Sequence, residues 1–387
     1  MSIIARILEA RKRRRSHSLF DSAARDLVRR LERKIKFLIS NPLGAMLRPR
    51  RTKTPLSLSE VTSVLIFRYD ALGDAVLTTP VWRTIKKYAP HIKVGVAGSL
   101  RNQQLLRADP DIDEVYLFSR EPSLLTLKEL FRARKTRWDV VMNLVFHDKT
   151  RGAIYAKVIS PQGISATSVM SHMEKYQRIY SVVGLRPRTT PVTAMVRLCL
   201  LVLKDVLDVP IDVTQVFPSL PEFREVAPAF SQELARLMES YDKDDYIIIN
   251  TDSSQSYREW GIENSIALGK EIVTLNPRRH VFFSSAPQRS APLKEVLQAG
   301  NDMSYLETPS VLHLAVAIRG AVAVVSPDTS VVHFATAERV PVVGLYVGDN
   351  EFWPYGSASK VVLPPDGKTL SLIPVTEVLA AYLELVP

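Results

Sequence analysis

From residue 61 onward, short apolar runs rich in β-branched residues alternate with stretches whose apolar positions recur every three or four residues. The runs SVLIFRY (63–69), KVGVAG (93–98), DEVYLF (113–118) and WDVVMNLV (138–145) predict buried strands. TTPVWRTIKKYAP (78–90) predicts a helix with proline near its first turn. The alternation returns in the second half. DYIIIN (245–250), HVFFSS (280–285), AVAVVS (321–326) and VPVVGLY (340–346) predict strands. SIALGKEIVTL, PSVLHLAVAIRG and SVVHFATAE predict helices between them, and VTEVLAAYLELV predicts a final helix. Strand–helix alternation implies an α/β protein with parallel sheets covered on both faces. A proline-containing stretch at 215–243 marks the crossing between two halves. The expected organisation is two Rossmann-like domains facing a cleft, over 56–215 and 216–387, with ligands beyond the carboxyl ends of the strands.

Charge changes the picture at the amino terminus. The whole chain of 387 residues carries +11, but residues 1–55 hold 16 Lys+Arg against 4 Asp+Glu, leaving the remainder at −1. Within this arm Phe20, Ala24, Leu27, Leu31, Ile35 and Leu38 share one helical face, with Arg25, Arg29, Arg30, Arg33, Lys34 and Lys36 opposite. A basic amphipathic helix of this kind suits an anionic membrane surface through residues 1–40. Packing of its apolar stripe on the globule, nucleic-acid binding and a transit peptide are the alternatives; a neutral globule speaks against nucleic acid. NPLGAMLRPRRTKTP (41–55) reads as a linker. No apolar run reaches the ~18 residues of a membrane-spanning helix, and basic residues interrupt the first apolar stretch, so neither a span nor a signal peptide is expected. The single cysteine, Cys199, sits in RLCLLVL as a small buried residue and fits a reducing compartment.

Four segments carry candidate chemistry. RYDALGDAVLTTP (68–80) leaves the first strand and presents Asp70 and Asp74 around Gly73. In a chain with few glycines, one at a strand–helix turn is informative: it admits close backbone approach or a positive φ. Asp74 is then either a helix cap or a carboxylate set at the cleft to take a proton from a substrate hydroxyl; Asp70 is a turn acid or a partner in the site. SPDTSVVHFATAERVPVVGLY (326–346) places Asp328 and Thr329 at a helix start, where free N–H groups can hold phosphate, with His333 a turn further on. Capping and a buried histidine are the plainer readings. NTDSSQSYREW (250–260) offers Thr251, Ser253, Ser254 and Ser256 with one cation, Arg258, for phosphate oxygens. FHDKTRG (146–152) adds His147, Lys149 and Arg151, either facing a phosphorylated or carboxylated acceptor or forming a solvated loop. No His, Cys or carboxylate cluster has metal-ligand spacing.

Taken together, SVLIFRYDALGDAVLTTPVWRTIKKYAP and SPDTSVVHFATAERVPVVGLY resemble the opening motif and the donor-site motif of glycosyltransferase family 9, the ADP-heptose:lipopolysaccharide heptosyltransferases. SYREW resembles their loop in which a basic residue precedes a tryptophan, and HMEKYQRIYSVVGL (172–185) resembles a helix they carry. The resemblance runs from 61 to 350; the basic arm has no counterpart. It implies a GT-B fold and inverting, metal-independent transfer of a heptose or similar sugar from an ADP-sugar to a lipopolysaccharide core. In that reading Asp74 is the general base, and Asp70 and Gly73 serve the acceptor, with His147, Lys149 and Arg151 beside it. Asp328, Thr329 and His333 lie at the donor with Thr251 and Ser254, and Arg258 stands where the family usually has lysine, against the leaving diphosphate. Two departures bear on the donor: Ser330 replaces a common glycine, and Gln288 stands where a glutamate often holds the ribose. The resemblance further implies no cofactor beyond the nucleotide-sugar substrate and a peripheral place on the cytoplasmic face of the bacterial inner membrane. The rival readings are a GT-B transferase with another nucleotide sugar and a protein or other glycan acceptor, and a non-catalytic nucleotide-binding or scaffold member.

Overall fold

The structure, a computed structural model, describes residues 49, 52–119, 123–186, 194–240, 243–253, 255–297, 303–356 and 358–386. The amphipathic helix expected in the arm and the candidate donor residue Ser254 lie outside the described residues.

The first half runs β1 (Ser63–Phe67), α1 (Leu72–Tyr88), β2 (Lys93–Gly98), α2 (Gln103–Arg107), β3 (Glu114–Leu117) and α3 (Leu124–Arg134). It continues β4 (Val140–Asn143), α4 (Lys149–Ile159), β5 (Ile164–Met170), β6 (Val182–Arg186) and α5 (Met195–Val206). Its six strands are all parallel, in the order β3-β2-β1-β4-β5-β6. After α6 (Ala227–Ser240) the second half runs β7 (Asp245–Asn250), α7 (Ile262–Leu275), β8 (Arg279–Ser284), α8 (Ser290–Leu297), β9 (Met303–Tyr305) and α9 (Val311–Gly320). It closes with β10 (Ala323–Pro327), α10 (Ser330–Glu338), β11 (Val342–Leu345), β12 (Ser359–Val362) and α11 (Val375–Leu385). This sheet, also parallel, is ordered β12-β11-β10-β7-β8-β9. Each half therefore reverses strand order once, between β1 and β4 and between β7 and β10. A crevice opens at each such point beyond the strand ends. Helices on both faces explain why every residue of β1 and of β10 is buried, and why these strands are mainly apolar.

Four strands, β5, β6, β9 and β12, were not expected from the sequence. β5, ISATSVM, is rich in hydroxyls, yet it is largely buried because those hydroxyls find carbonyls across the sheet. Thr167 Oγ1 donates to Asn143 O at 2.9 Å and Ser168 Oγ to Gly184 O at 3.0 Å. The helix expected at 172–185 is instead a 3-10 run, Ser171–Arg178, followed by β6, whose β-branched Val182 and Val183 pair with Ala166 and Thr167. The crossing at 215–243 contains a helix of its own, α6, preceded by Phe223 at φ 51°.

α1 begins at Leu72, six residues before the expected start, so Pro80 falls in its interior. Proline there deprives the carbonyl four residues earlier of its amide partner. Thr79 supplies the substitute: its Oγ1 donates to Val76 O at 2.9 Å and accepts from the Ser219 amide at 3.1 Å. One buried hydroxyl thus repairs the helix and ties it to the crossing segment. Ala75 and Val76 of α1 share one apolar cluster with Val331, Val332 and Ala335 of α10, so the two halves meet along these helices. Replacement of Thr79 by valine keeps the shape but strands both partners. The expected loss is about 1–3 kcal/mol of unfolding free energy by urea titration; an unchanged midpoint would show that Pro80 is accommodated otherwise.

Candidate active site

β1 ends at Phe67, and the next residue, Arg68, is almost fully buried. A buried guanidinium is tolerable only if paired and hydrogen-bonded. Here Nε donates to Asp74 O at 3.0 Å and Thr78 Oγ1 at 2.7 Å, and Nη1 donates to Asp70 Oδ2 at 3.0 Å and to Leu144 O. Nη2 lies 3.8 Å from Asp74 Oδ1 and 3.8 Å from Cys199 Sγ, which is buried on α5 as expected. One cation therefore serves two carboxylates. Burial pushes the Asp70 carboxyl up to about 7; Arg68 opposes the shift and Asp74 adds to it. Asp70 Oδ1 is buried with no partner among the described residues. Asp74 is the third residue of α1, whose cap is Ala71, so the capping alternative fails for it. Its carboxylate instead stands in the first turn, where the helix dipole favours negative charge.

Across the crevice, the start of α1 lies directly against the start of α10. A Cβ built on Gly73 would fall 2.5 Å from His333 Cδ2 and 3.3 Å from Ser330 Cα. What Gly73 admits in this structure is therefore α10, so close that a side chain here would have to displace the buried His333 ring. His333 is buried with Nδ1 unpartnered among the described residues, and desolvation pulls its pKa down to about 4 against the pull of Asp74. Its ring is neutral at pH 7.

Arg258 follows β7 on a 3-10 turn, and its Nη1 lies 2.9 Å from Asp328 Oδ2 at the end of β10. Its Nε donates to Tyr257 Oη at 3.2 Å. Two residues on, Trp260 is buried and donates Nε1 to Ile373 O at 2.9 Å, and Gly261 at φ 103° turns the chain into α7. The tryptophan thus anchors the loop that carries the cation. Burial raises the Asp328 carboxyl; Arg258 opposes, while Asp74 and Glu351 add to the rise. Arg258, Asp74 and Glu351 are therefore all within electrostatic reach of Asp328. Among the described residues, no group of three or more His, Cys, Asp or Glu is placed to hold a metal ion.

The remaining candidates divide. Thr329 is the cap of α10: its hydroxyl accepts from the Val331 amide at 3.3 Å and from Asn250 Nδ2 at 3.2 Å. Asn250 also donates to Ser326 Oγ, tying the two strand ends together, a role sequence reasoning missed along with that of Arg68. Thr251 turns its hydroxyl to Ser284 O at 3.3 Å, and Gln288 is exposed on the turn Pro287–Arg289. On the other side, a pocket of about 310 Å³ is lined by Asp70, Asp74, Ser99, Arg101, Ser119 and the exposed His147. Lys149 does not line it: its amine donates to Phe146 O, and burial lowers its pKa. Arg151 is likewise held back, 3.1 Å from Asp148. A larger hollow of about 760 Å³ sits at the amino ends of β1 and β5, by Val61 and Ile164, the wrong end of the strands for this fold's ligands.

Two Rossmann-like halves with facing switch-point loops define a GT-B-type architecture. The solved structures agree. A glycosyl transferase family 9 protein from Veillonella parvula superposes with a TM-score of 0.68 at 21% identity, over 84% of this chain and 97% of that one. E. coli heptosyltransferase WaaC, solved with ADP-2-deoxy-2-fluoro heptose, gives 0.63 at 16% identity, over 83% and 99%. E. coli ADP-heptose lps heptosyltransferase II gives 0.64 at 16%, over 84% and 98%. A search of curated proteins finds no match. The profile of glycosyltransferase family 9 (heptosyltransferase) matches residues 166–367, just over half of the chain. The chain belongs to this family and is a glycosyltransferase. The matched stretch holds Arg258, Asp328 and His333; Asp74 precedes it.

Two measurements probe this electrostatic arrangement. Arg68→Met should cost about 3–5 kcal/mol in chemical denaturation, because Asp70 is left buried without its cation. Adding Asp70→Asn should recover part of that loss, and failure to do so would place the cost in packing alone. The imidazole of His333 should stay neutral in an NMR titration until about pH 4. Because its folded pKa lies below the ordinary 6.5, its contribution to stability is complete above pH 6.5 and is lost as pH falls through about 4. A midpoint near 6.5 in the folded protein would refute the buried environment.

Proposed function

We propose that the protein transfers a heptose, with inversion, from an ADP-sugar to a lipopolysaccharide core acceptor. The observation that carries this reading is the opposition of Asp74 to the Arg258–Asp328 pair across one crevice, each at the switch point of its own sheet. The acceptor occupies the pocket lined by Asp70, Asp74 and His147, and the donor diphosphate occupies the start of α10. Asp74 takes the proton of the acceptor hydroxyl, and the freed oxygen attacks the anomeric carbon from the face opposite the diphosphate. The bond from that carbon to the diphosphate oxygen breaks with its electron pair, and ADP leaves. Negative charge grows on that oxygen, where fixed donors are most effective. Arg258 supplies one: its Nη2 is uncommitted among the described residues. The amide groups at the start of α10 supply others, although the Thr329 hydroxyl is already spent on its cap. No cofactor or metal ion takes part in this scheme. The solved complexes of WaaC with ADP and with an ADP-heptose analogue support the choice of donor. Among the described residues no helix is long and apolar enough to cross a membrane. The enzyme would work at the cytoplasmic face of the inner membrane, with the arm over residues 1–40 on anionic lipid.

A second reading keeps the chemistry and changes the donor. It is favoured by Ser330, packed against Gly73 where the family commonly has glycine, and by the exposed Gln288 where a ribose-binding glutamate often stands.

With ADP-heptose and a truncated lipopolysaccharide core, Asp74→Asn should lower kcat by about 10²–10⁴-fold and leave ADP binding by calorimetry intact. Arg258→Ala should lower kcat by about 10²-fold. Wild type that binds ADP-heptose no better than other nucleotide sugars would reject this donor. Absence of turnover with every sugar nucleotide tried would favour a binding member.

A further inference from the structure

α3 is amphipathic in the wrong sense for a helix that faces only water. Its inward face is Thr126, Glu129, Leu130 and Ala133, all buried. Its outward face, at spacings of three and four, carries Leu124, Leu127 and Phe131, which are 86%, 48% and 57% exposed. Isolated exposed apolar residues are ordinary, but three large ones in register on one helix face mark a contact surface. Lys128 lies among them, and Lys135 and Arg137 follow at the helix end, all exposed and without an ion-pair partner among the described residues. The one acid of the helix, Glu129, points inward and is taken by Arg132. Apolar side chains bordered by unpaired cations, with no exposed acid on the helix itself, complement an interface of acyl chains and anionic headgroups. A protein partner would need matching acids against these lysines, and nothing in the helix selects for one.

The stripe also leads somewhere. Leu125, next to Leu124, lines the pocket that holds Asp70 and Asp74, together with Leu100, which is 63% exposed, and the exposed Arg101. Apolar surface thus runs from the outward face of α3 to the mouth of the acceptor pocket. We infer that α3 is a membrane-docking element that seats its Leu124–Leu127–Phe131 face in an anionic lipid surface and holds the acceptor pocket against it. This deepens the proposed function, and rests on it only for the acceptor being anchored in that lipid.

The full-length chain offers a direct test, since its natural cysteine is buried. With an environment-sensitive fluorophore on Leu127→Cys, vesicles of phosphatidylethanolamine and phosphatidylglycerol should shift the emission to the blue, and the same probe on Val296→Cys should not respond. Phosphatidylcholine vesicles should give a much smaller shift. Vesicle binding with an unshifted Leu127→Cys probe would overturn the inference, since the amino-terminal arm would then account for all attachment. So would a shift that grows with protein concentration without lipid, the mark of self-association. Leu124→Ser/Leu127→Ser/Phe131→Ser should lower transfer to a vesicle-borne acceptor roughly tenfold and leave transfer to a soluble core oligosaccharide unchanged. Equal losses on both acceptors would overturn the docking role. A wild type inactive on both acceptors would sink the proposed substrate alone, because the probe reports docking without turnover.

Discussion

The site depends on one buried cation. Arg68 leaves the end of β1 into a volume closed to water, so every polar group around it must be chosen to offset its desolvation. The result is a fixed cage: the Leu144 carbonyl after β4, the Asp74 carbonyl and Thr78 hydroxyl of α1, and the carboxylates of Asp70 and Asp74. That cage welds β1, β4 and α1 together at the switch point of the first sheet. It also fixes where two carboxyl groups stand before any substrate arrives. A carboxylate meant to receive a proton gains most from such preorganisation, because no rearrangement is left for the moment of reaction.

The second half answers with a different device. Asn250 spans from β7 to the Ser326 and Thr329 hydroxyls, and the buried Trp260 anchors the turn that carries Arg258. The helix start of α10 is then brought against α1 at Gly73, where a larger residue would have to displace the His333 ring. A neutral, desolvated His333 fills the seam, and Asp74 lies close enough to be felt by both His333 and Asp328. In the proposed reaction, this close packing of two helix starts would set the acid and the cation on either side of the displaced bond. The outward face of α3 extends the same logic to the surface, bringing the pocket to its substrate rather than waiting for a free one.

Much of this was written locally. A strand buried on both faces needs an apolar run, and a helix needs a recurrence of three to four, so β1, β2, β7, β8, β10, β11, α10 and α11 are legible from patterns a few residues long. Because ligands gather at the carboxyl ends of parallel strands, Asp74, Arg258 and Asp328 could be named as candidates by position, while their roles came from the family resemblance. β5 escaped notice because its Ser and Thr residues look polar until Asn143 and Gly184 supply their acceptors. The true start of α1 escaped because Pro80 looks like a first-turn residue until Thr79 is seen to repair the ladder.

What the tertiary structure alone decided is how each polar group spends its hydrogen bonds and charge. Lys149 and Arg151 carry the charges expected of an acceptor site, yet Phe146 and Asp148 claim them. Arg68 looks like a routine basic residue after a strand, and becomes the centre of the site only because Leu144, 76 residues away, closes over it. Gly73 stands out at a strand–helix turn in a glycine-poor chain, but only the packing shows that α10 is what comes close to it. Periodicity is a property of neighbours along the chain and survives in one dimension. Desolvation and charge pairing are properties of neighbours in space, and here those neighbours come together only when the strands and helices have packed.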